Sequence, residues 1–362
     1  MPRLSRQALC EYLRSRFGPN VELLSYGVIG KESSKGEQKR YGYGTPVKLT
    51  FRTGRRVQSA VLETMKPGPF GHEHMADRAQ AMLWDYDSYG RLPRHVKALD
   101  VGAFDAKEAL FSLAEAREFF VLNEWTEGVS YHADLRRLAK GGTLRTLDRQ
   151  RAIALAQYLA EIHATKRRDA DLYKRRLREL IGHGECIMGL TDSYPKRSGF
   201  ITGDLLRTVE EACNRWRWRL RDRTHRLSQV HGDFHPYNVL FRAGSDFAVL
   251  DRSRGEWGEP ADDITAMTIN YLLNSLIRWG KLQGSFQVLF QLFWDTYVEA
   301  SGDKEVMETA APFFAFRGLV VASPLWYPNL STDVRRSLFR FIENVLDVPR
   351  FEPERVNVYC GA

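Results

Sequence analysis

A chain of 362 residues, 43% hydrophobic and 27% charged, can bury a large core, and its length suits two medium lobes better than one compact unit. The net charge of +8 is spread along the chain without a homogeneous Lys/Arg block, which speaks against a nucleic-acid partner. Cys10, Cys186, Cys213 and Cys360 lie far apart, form no CxxC pair, have no His at metal-ligand spacing, and read as reduced thiols of a cytosolic protein.

The first residues, Met1 to Gly18, set Arg3, Arg6, Arg14 and Arg16 among Leu and Tyr, the pattern of an amphipathic helix. They lack the apolar stretch of a signal peptide, and no apolar run reaches membrane-spanning length, so a soluble, cytoplasmic protein is expected. Val21 to Ile29 alternates and is β-rich. Val47 to Phe51 and Arg56 to Met65 read as two further strands joined at Thr53-Gly54, which together make an antiparallel meander. Pro67-Gly68-Pro69-Phe70-Gly71 punctuates it, and Glu73 to Tyr89 carries a helical period. Strand signals return at Val96 to Phe104, Leu110 to Leu113 and Glu118 to Trp125.

Beyond Gly128 the character changes. Leu144 to Lys166, Tyr173 to Gly182 and Leu205 to Leu227 are long helical patterns, and the chain from Asp263 onwards is helical apart from short breaks. Two short β segments, Val239 to Arg242 and Phe247 to Leu250, sit between them. The expected fold class is therefore α+β, a β-rich lobe over residues 1–124 and a helical lobe over residues 125–362, without internal repeats.

The strongest chemical signal is Val230-His231-Gly232-Asp233-Phe234-His235-Pro236-Tyr237-Asn238, followed by the apolar Phe247 to Leu250 and then Asp251. Asp233 and Asn238 lie on a loop entering a hairpin and Asp251 ends the returning strand, so three oxygen donors converge at one end of that hairpin. Phosphoryl transfer calls for such a set: a hard divalent cation takes oxygen ligands, and a separate carboxylate orients the attacking hydroxyl. The alternative, that Asp233 and Asn238 are turn and cap residues, weakens with the company of Asp251 and of Gly258-Glu259-Pro260-Ala261-Asp262-Asp263.

The pattern of His-Gly-Asp, Asn five residues after the Asp, and an apolar strand ending in Asp resembles the catalytic loop of the aminoglycoside phosphotransferase and choline kinase families, within the protein-kinase-like superfamily. That resemblance implies the protein-kinase-like two-lobed fold, an antiparallel β-sheet lobe with one helix preceding a mainly helical lobe, with the active site in the cleft between. It implies ATP and Mg2+ as cofactors and the hydroxyl of a small molecule as acceptor. Asp233 would be the catalytic base, Asn238 and Asp251 the metal ligands, and His231 and Asp263 supports of the loop. The segment Phe119 to Gly128 resembles the strand and hinge joining the lobes, where the backbone of Glu124 and Thr126 would meet the adenine edge. Tyr158 to Ala164 resembles a family helix in which His163 is a core or support residue.

This sequence departs from the family at the third strand, where Val61-Leu62 is followed by Glu63 instead of a basic residue. Either Lys66 replaces that phosphate grip, with Asp77 favoured over Glu73 and Asp85 as its helical partner, or the phosphates are held mainly by metal and backbone; a solvated Lys66 is an equal alternative. Ser33 and Ser34, between the first two strands, are placed to cap phosphate oxygens, and a plain hairpin connection rivals that reading. Arg252 and Arg254 follow the metal Asp where the family commonly has an aromatic and an acid. With the net positive charge, they favour a sugar, polyol or anionic metabolite over a polycationic antibiotic; local pairing of these arginines with Glu256, Glu259 or Asp262 is the alternative. Trp326 and Tyr327 beside Pro328 are further candidates for the acceptor pocket. A pseudokinase or nucleotide-binding module without transfer is the rival function, motivated by Glu63. On the α-helical pattern of Arg215 to Arg219, and of Phe286, Phe290, Phe293, Trp294 and Tyr297, the aromatic residues read as packed core.

Overall fold

The structure is a computed structural model that describes residues 3–29, 44, 46–68, 70–196 and 199–361. The chain divides into two units, Met1–Asn123 and Glu124–Ala362. Ser33 and Ser34 lie outside the described residues.

In the first unit, α1 (Arg6–Phe17) starts where the Ser5 hydroxyl accepts the N–H of Ala8 at 3.1 Å. It stops at Gly18, whose φ of 102° suits glycine. Leu9 and Leu13, one turn apart on α1, are buried against β1 (Val21–Val28), β2 (Val47–Thr53) and β3 (Arg56–Leu62). The three strands form an antiparallel meander in the order β1-β2-β3. Alternation of side chains along β1 and β2 sends Val21, Leu23, Val47, Leu49 and Phe51 into one small core with Leu9 and Leu13. After β3 come α2 (Met75–Tyr89), closed at its start by a His74–Asp77 capping box, and the hairpin of β4 (Gly102–Phe104) and β5 (Leu110–Ser112).

The expected strand over Glu118 to Trp125 does not form, and the one expected from Val96 shrinks to β4. Phe120 and Leu122 are 93% and 91% exposed, and among the described residues no ladder pairs with their backbone. The reason is physical: β-propensity marks residues that fit a pleated, half-buried surface, and without a partner strand the propensity has nothing to act on.

The second unit holds one large core. A three-stranded sheet in the order β6-β8-β9 joins β6 (Val129–Ser130), β8 (Val239–Phe241) and β9 (Phe247–Val249), and a two-stranded ladder joins β7 (Ser228–Gln229) to β10 (Trp257–Gly258). Around them lie α3 (Tyr131–Ala139), α4 (Thr146–His163), α5 (Ala170–Gly182), α6 (Ile187–Ser193) and α7 (Gly203–Leu220). The chain ends with α8 (Pro260–Trp279), α9 (Gly284–Ser301), α10 (Val306–Ala322), α11 (Thr332–Asp347) and the short α12 (Val356–Tyr359). α8 and α10 are buried on nearly every face, so they form the centre of the unit. Phe286, Phe290, Phe293, Trp294 and Tyr297 of α9 are core residues, as their helical spacing implies. Trp216 is buried with its Nε1–H donating to Leu346 O at 2.8 Å, and Arg219 covers its ring at 4.3 Å.

One buried ionic knot fixes how α8 begins. Glu259, the residue capping α8, accepts from both Nε and Nη2 of Arg226, from the Tyr173 hydroxyl at 2.9 Å and from the Thr309 hydroxyl at 3.1 Å. Arg226 also donates to both oxygens of Asp303 at 2.8 and 2.9 Å. Every oxygen and every guanidinium nitrogen in the knot is thereby used, which is what allows charges to be buried.

Candidate active site

The loop that carries Asp233 leaves β7 and is tied down before it reaches the carboxylate. Val230 N donates to Glu256 O at 3.0 Å, continuing the β7–β10 ladder. The next two amides, of His231 and Gly232, each donate at 2.7 Å to the two oxygens of Asp263, in the first turn of α8. Asp263 is itself held by His163 of α4, whose Nε2 lies 3.1 Å from Oδ2, while His163 Nδ1 meets the Tyr297 hydroxyl at 3.0 Å. Asp263 is fully buried. Burial pushes its carboxyl up, but the bond from His163, the neighbouring imidazoles and the His231 N–H outweigh this and hold it below the usual range. Gly232 turns the chain with φ +87°, in a space where a Cβ would sit 3.3 Å from Arg254 Cβ. His231 Nδ1 accepts the N–H of Asp233 at 3.3 Å, which places the ring proton on Nε2.

Asp233 is a half-buried carboxylate among cations. Arg317 of α10 donates from Nη1 to Asp233 Oδ1, from Nη2 to Gly232 O at 2.9 Å, and from Nε and Nη2 to Asp262 Oδ1 at 3.0 and 2.6 Å. His235 Nε2 lies 3.6 Å from Asp233 Oδ2. Burial raises the Asp233 carboxyl, but His235, Arg317 and Arg254 together hold it well below the ordinary carboxylate range. Burial alone dominates at Asp262, whose carboxyl is raised in spite of Arg317.

Asn238 ends a single 3-10 turn, Pro236–Asn238, that feeds β8. Its Nδ2 donates to Asp233 O at 3.1 Å, which orients the amide and leaves Oδ1 as its free oxygen. Leu250 N donates to Asn238 O at 2.9 Å, so Asp251 follows directly on the residue paired with Asn238. Asp251 has φ +55°, a left-handed conformation that Asp tolerates better than most residues, and its Oδ1 accepts Ser253 N at 3.2 Å. Among the described residues Asn238 Oδ1 and Asp251 Oδ2 accept no hydrogen bond, which leaves one amide oxygen and one carboxylate oxygen at the same end of the β8–β9 hairpin. Two hard oxygen donors are what a magnesium ion takes from a protein when phosphates and water complete its shell. Among the described residues no group of three or more His, Cys, Asp and Glu gathers as a metal cluster. Asp251, Leu250, Val230, His231 and Tyr158 line a pocket of about 290 Å³.

Arg252 does not pair with an acid; it staples the Asp251 turn to β7 and β10 by donating to Val230 O at 2.8 and 3.0 Å and to Glu256 O at 3.2 Å. Lys66 is exposed just past β3, and Asp77 accepts the N–H of His74 as part of the α2 cap. Glu124 is exposed and Thr126 half-buried, both outside any ladder. Sequence reasoning missed Arg317, Asp262 and His235 as neighbours of Asp233. The signal for Arg317 was present: it is the only Lys or Arg within α10, between Phe316 and Gly318-Leu319-Val320-Val321, and a lone charge in an apolar helix needs a buried partner.

The model of the phosphotransferase enzyme family, APH, matches residues 91–281, just over half of the chain. The chain belongs to that family. The matched span contains His163, His231, Asp233, Asn238, Asp251 and Asp263, whereas Lys66 and Arg317 fall outside it. No curated sequence relative matches. Among solved structures, amicoumacin kinase hAmiN in complex with AMP-PNP, Ca2+ and Ami is 15% identical, with 98% of this chain and 97% of that chain covered and a TM-score of 0.41. An ethanolamine kinase of Plasmodium vivax is 11% identical over 93% of this chain and 80% of its own, TM-score 0.35. A choline kinase of Cryptosporidium parvum is 10% identical over 99% and 94%, TM-score 0.33. As a member of that family the protein is a phosphotransferase, and its β-meander unit followed by a mainly helical unit gives it the α+β class expected from the sequence. Among the described residues no helix is long and apolar enough to cross a membrane.

Proposed function

We propose that this APH-family enzyme transfers the γ-phosphoryl group of ATP to a hydroxyl of a small molecule, with Asp233 as the base. The carrying observation is the Asp233 carboxylate itself: held well below the ordinary carboxylate range, oriented by Arg317, and mounted on a loop that also bears Asn238, whose backbone pairs with the residue before Asp251. In the reaction the acceptor oxygen forms a bond to the γ-phosphorus, the bond from phosphorus to the bridging oxygen breaks, ADP leaves, and the hydroxyl proton passes to Asp233. A base held so far below the usual range is a weak proton acceptor until the acceptor oxygen has lost electron density. Its main work is therefore to orient the hydroxyl, as in other phosphoryl transfers dominated by positioning. Asn238 Oδ1 and Asp251 would hold Mg2+, which supplies neutralisation of phosphate charge when bound. His231 and Asp263 support the loop. For the nucleotide we assign Glu124 and Thr126 to the adenine edge, and Lys66, Ser33 and Ser34 to the phosphates. The four cysteines, none of them paired, suit a cytoplasmic enzyme.

The rival reading is a nucleotide-binding module without transfer, favoured by the exposed Lys66 and by Glu63 at the end of β3. Thermal shift with ATP, with and without Mg2+, followed by an ADP-release screen over hydroxyl acceptors, separates the two. Metal-dependent stabilisation that disappears in Asp251→Ala, together with acceptor-dependent ADP release, supports the kinase. Binding without release under any acceptor supports the module.

A further inference from the structure

Arg254, three residues past Asp251, is the charge around Asp233 that the fold leaves unspent. Its backbone is fixed: Arg254 O accepts from Arg176 Nη2, and its Cβ lies against Gly232. Its guanidinium is stacked over the Phe316 ring at 5.2 Å. Its nearest acid is Glu185, an exposed side chain whose Oε2 is 3.8 Å from Nη2, beyond hydrogen-bond reach. Its Nη1 is buried and, among the described residues, has no hydrogen-bond partner.

The neighbouring guanidiniums differ. All three guanidinium nitrogens of Arg317 are engaged, by Asp233, Asp262 and Gly232 O, and both terminal nitrogens of Arg176 are engaged, by Glu179 and Arg254 O. Arg254 Cβ packs against Gly232, the residue before Asp233, and its guanidinium shares the Phe316 ring with that of Arg317, which places its charge near the base; it helps hold down the carboxyls of Asp233 and Asp262. Its packing neighbours, Arg176, Glu185 and Phe316, come from α5, the α5–α6 turn and α10, whereas Asn238 and Asp251 belong to the β8–β9 hairpin.

A buried, unpaired N–H on a rooted guanidinium fork is the donor geometry that recognises a planar or tetrahedral oxyanion. We infer that the phosphate acceptor is itself anionic, a hydroxyl-bearing molecule whose carboxylate or phosphate group binds Arg254 while its hydroxyl meets Asp233. This rests on the phosphotransferase reading of the site and narrows its substrate class. It also explains why basic residues stand where a polycationic acceptor would be repelled.

The test pairs neutral acceptors with their acids, sorbitol with gluconate and glycerol with glycerate, and adds glycerol phosphate to separate carboxylate from phosphate recognition. ADP release is measured for the wild type, Arg254→Met and Arg254→Lys, and binding of each acid is followed by calorimetry without nucleotide. The expected result is an acid preferred over its neutral partner. The KM for that acid should rise about 10- to 100-fold in Arg254→Met and less in Arg254→Lys. The KM for ATP should move less than about twofold, the spread of a mutation that leaves a site untouched. Equal use of acid and neutral partner, or a rise in the KM for ATP matching that for the acceptor, overturns the inference; the latter would give Arg254 to the nucleotide phosphates. Arg254-dependent acid binding without any ADP release would keep the anion site and overturn the phosphotransferase reading. Absence of both would overturn the two together.

Discussion

Asp263 accepts the backbone N–H groups of His231 and Gly232, each at 2.7 Å, so one buried carboxylate fixes the two residues that lead into Asp233. Replacing it with alanine strands two buried donors and removes the partner of His163. At about 1–3 kcal/mol for each unsatisfied group, Asp263→Ala should lose at least about 3 kcal/mol, while Asp263→Asn keeps one acceptor and loses less. Urea unfolding checks this; a wild-type midpoint for the alanine variant would show that the loop is held by other contacts. The pH sign follows from the depressed carboxyl. Its stabilisation is present above the ordinary value of 3.8 and is lost as pH falls through the lower, folded-state value. The acid limb of the stability curve should therefore flatten in Asp263→Asn.

Much of the candidate loop was legible because its residues are written locally. His231, Gly232, Asp233, Asn238 and Asp251 occupy one short stretch, and the hairpin between Asn238 and Asp251 follows from two apolar runs around a Gly-Ser turn. Arg317 lies far along the chain from Asp233, and only the packing of α10 against α8 brings it there. The strand expected at Glu118 to Trp125 failed for the same reason in reverse, since a strand depends on a partner that local sequence does not name. α3 went unread because Tyr131 to Ala139 is short, and Tyr131, Leu135 and Leu138 acquire their burial only from α8 and the β-sheet.

Asp233→Asn should preserve the fold, since Arg317 keeps Asp262 and Gly232 O as partners. Turnover should fall about 10²- to 10⁴-fold, the usual contribution of a positioned base, with affinity for ATP nearly unchanged. Steady-state kinetics paired with nucleotide binding decides it. Comparable turnover in the variant would show that another group receives the hydroxyl.

The knot at the start of α8 makes a prediction about stability alone. Arg226→Met leaves Glu259 and Asp303 buried without their cation, and breaking a buried pair from one side costs about 3–5 kcal/mol. Because Glu259 caps the helix that carries Asp262 and Asp263, the loss should appear in both the melting temperature and the activity. Removing the exposed Arg242–Asp246 pair should leave both unmoved. A melting temperature for Arg226→Met equal to that of the wild type would contradict the account.

Arg317 offers a test of what sets the state of the base. Burial pushes the Asp233 carboxyl up, and His235, Arg317 and Arg254 pull it far down, so in the wild type Asp233 stays ionised through the ordinary carboxylate range. Its protonation should contribute no acid limb to kcat/KM between about pH 4 and 7. Taking away an adjacent cation typically returns a carboxyl by about 1–3 units. Arg317→Gln keeps a hydrogen-bond donor without the charge, so an acid limb should emerge at the acid end of its profile, at about pH 4 and below, as Asp233 begins to titrate. Arg317→Lys keeps the charge and loses the fork, which should cost stability through Asp262 and Gly232 O yet leave the profile flat. The contrast between the two variants is the decisive reading, because both disturb packing and only one removes the charge. If their pH profiles run parallel, the charge of Arg317 is not what keeps Asp233 ionised, and His235 with Arg254 carries that task.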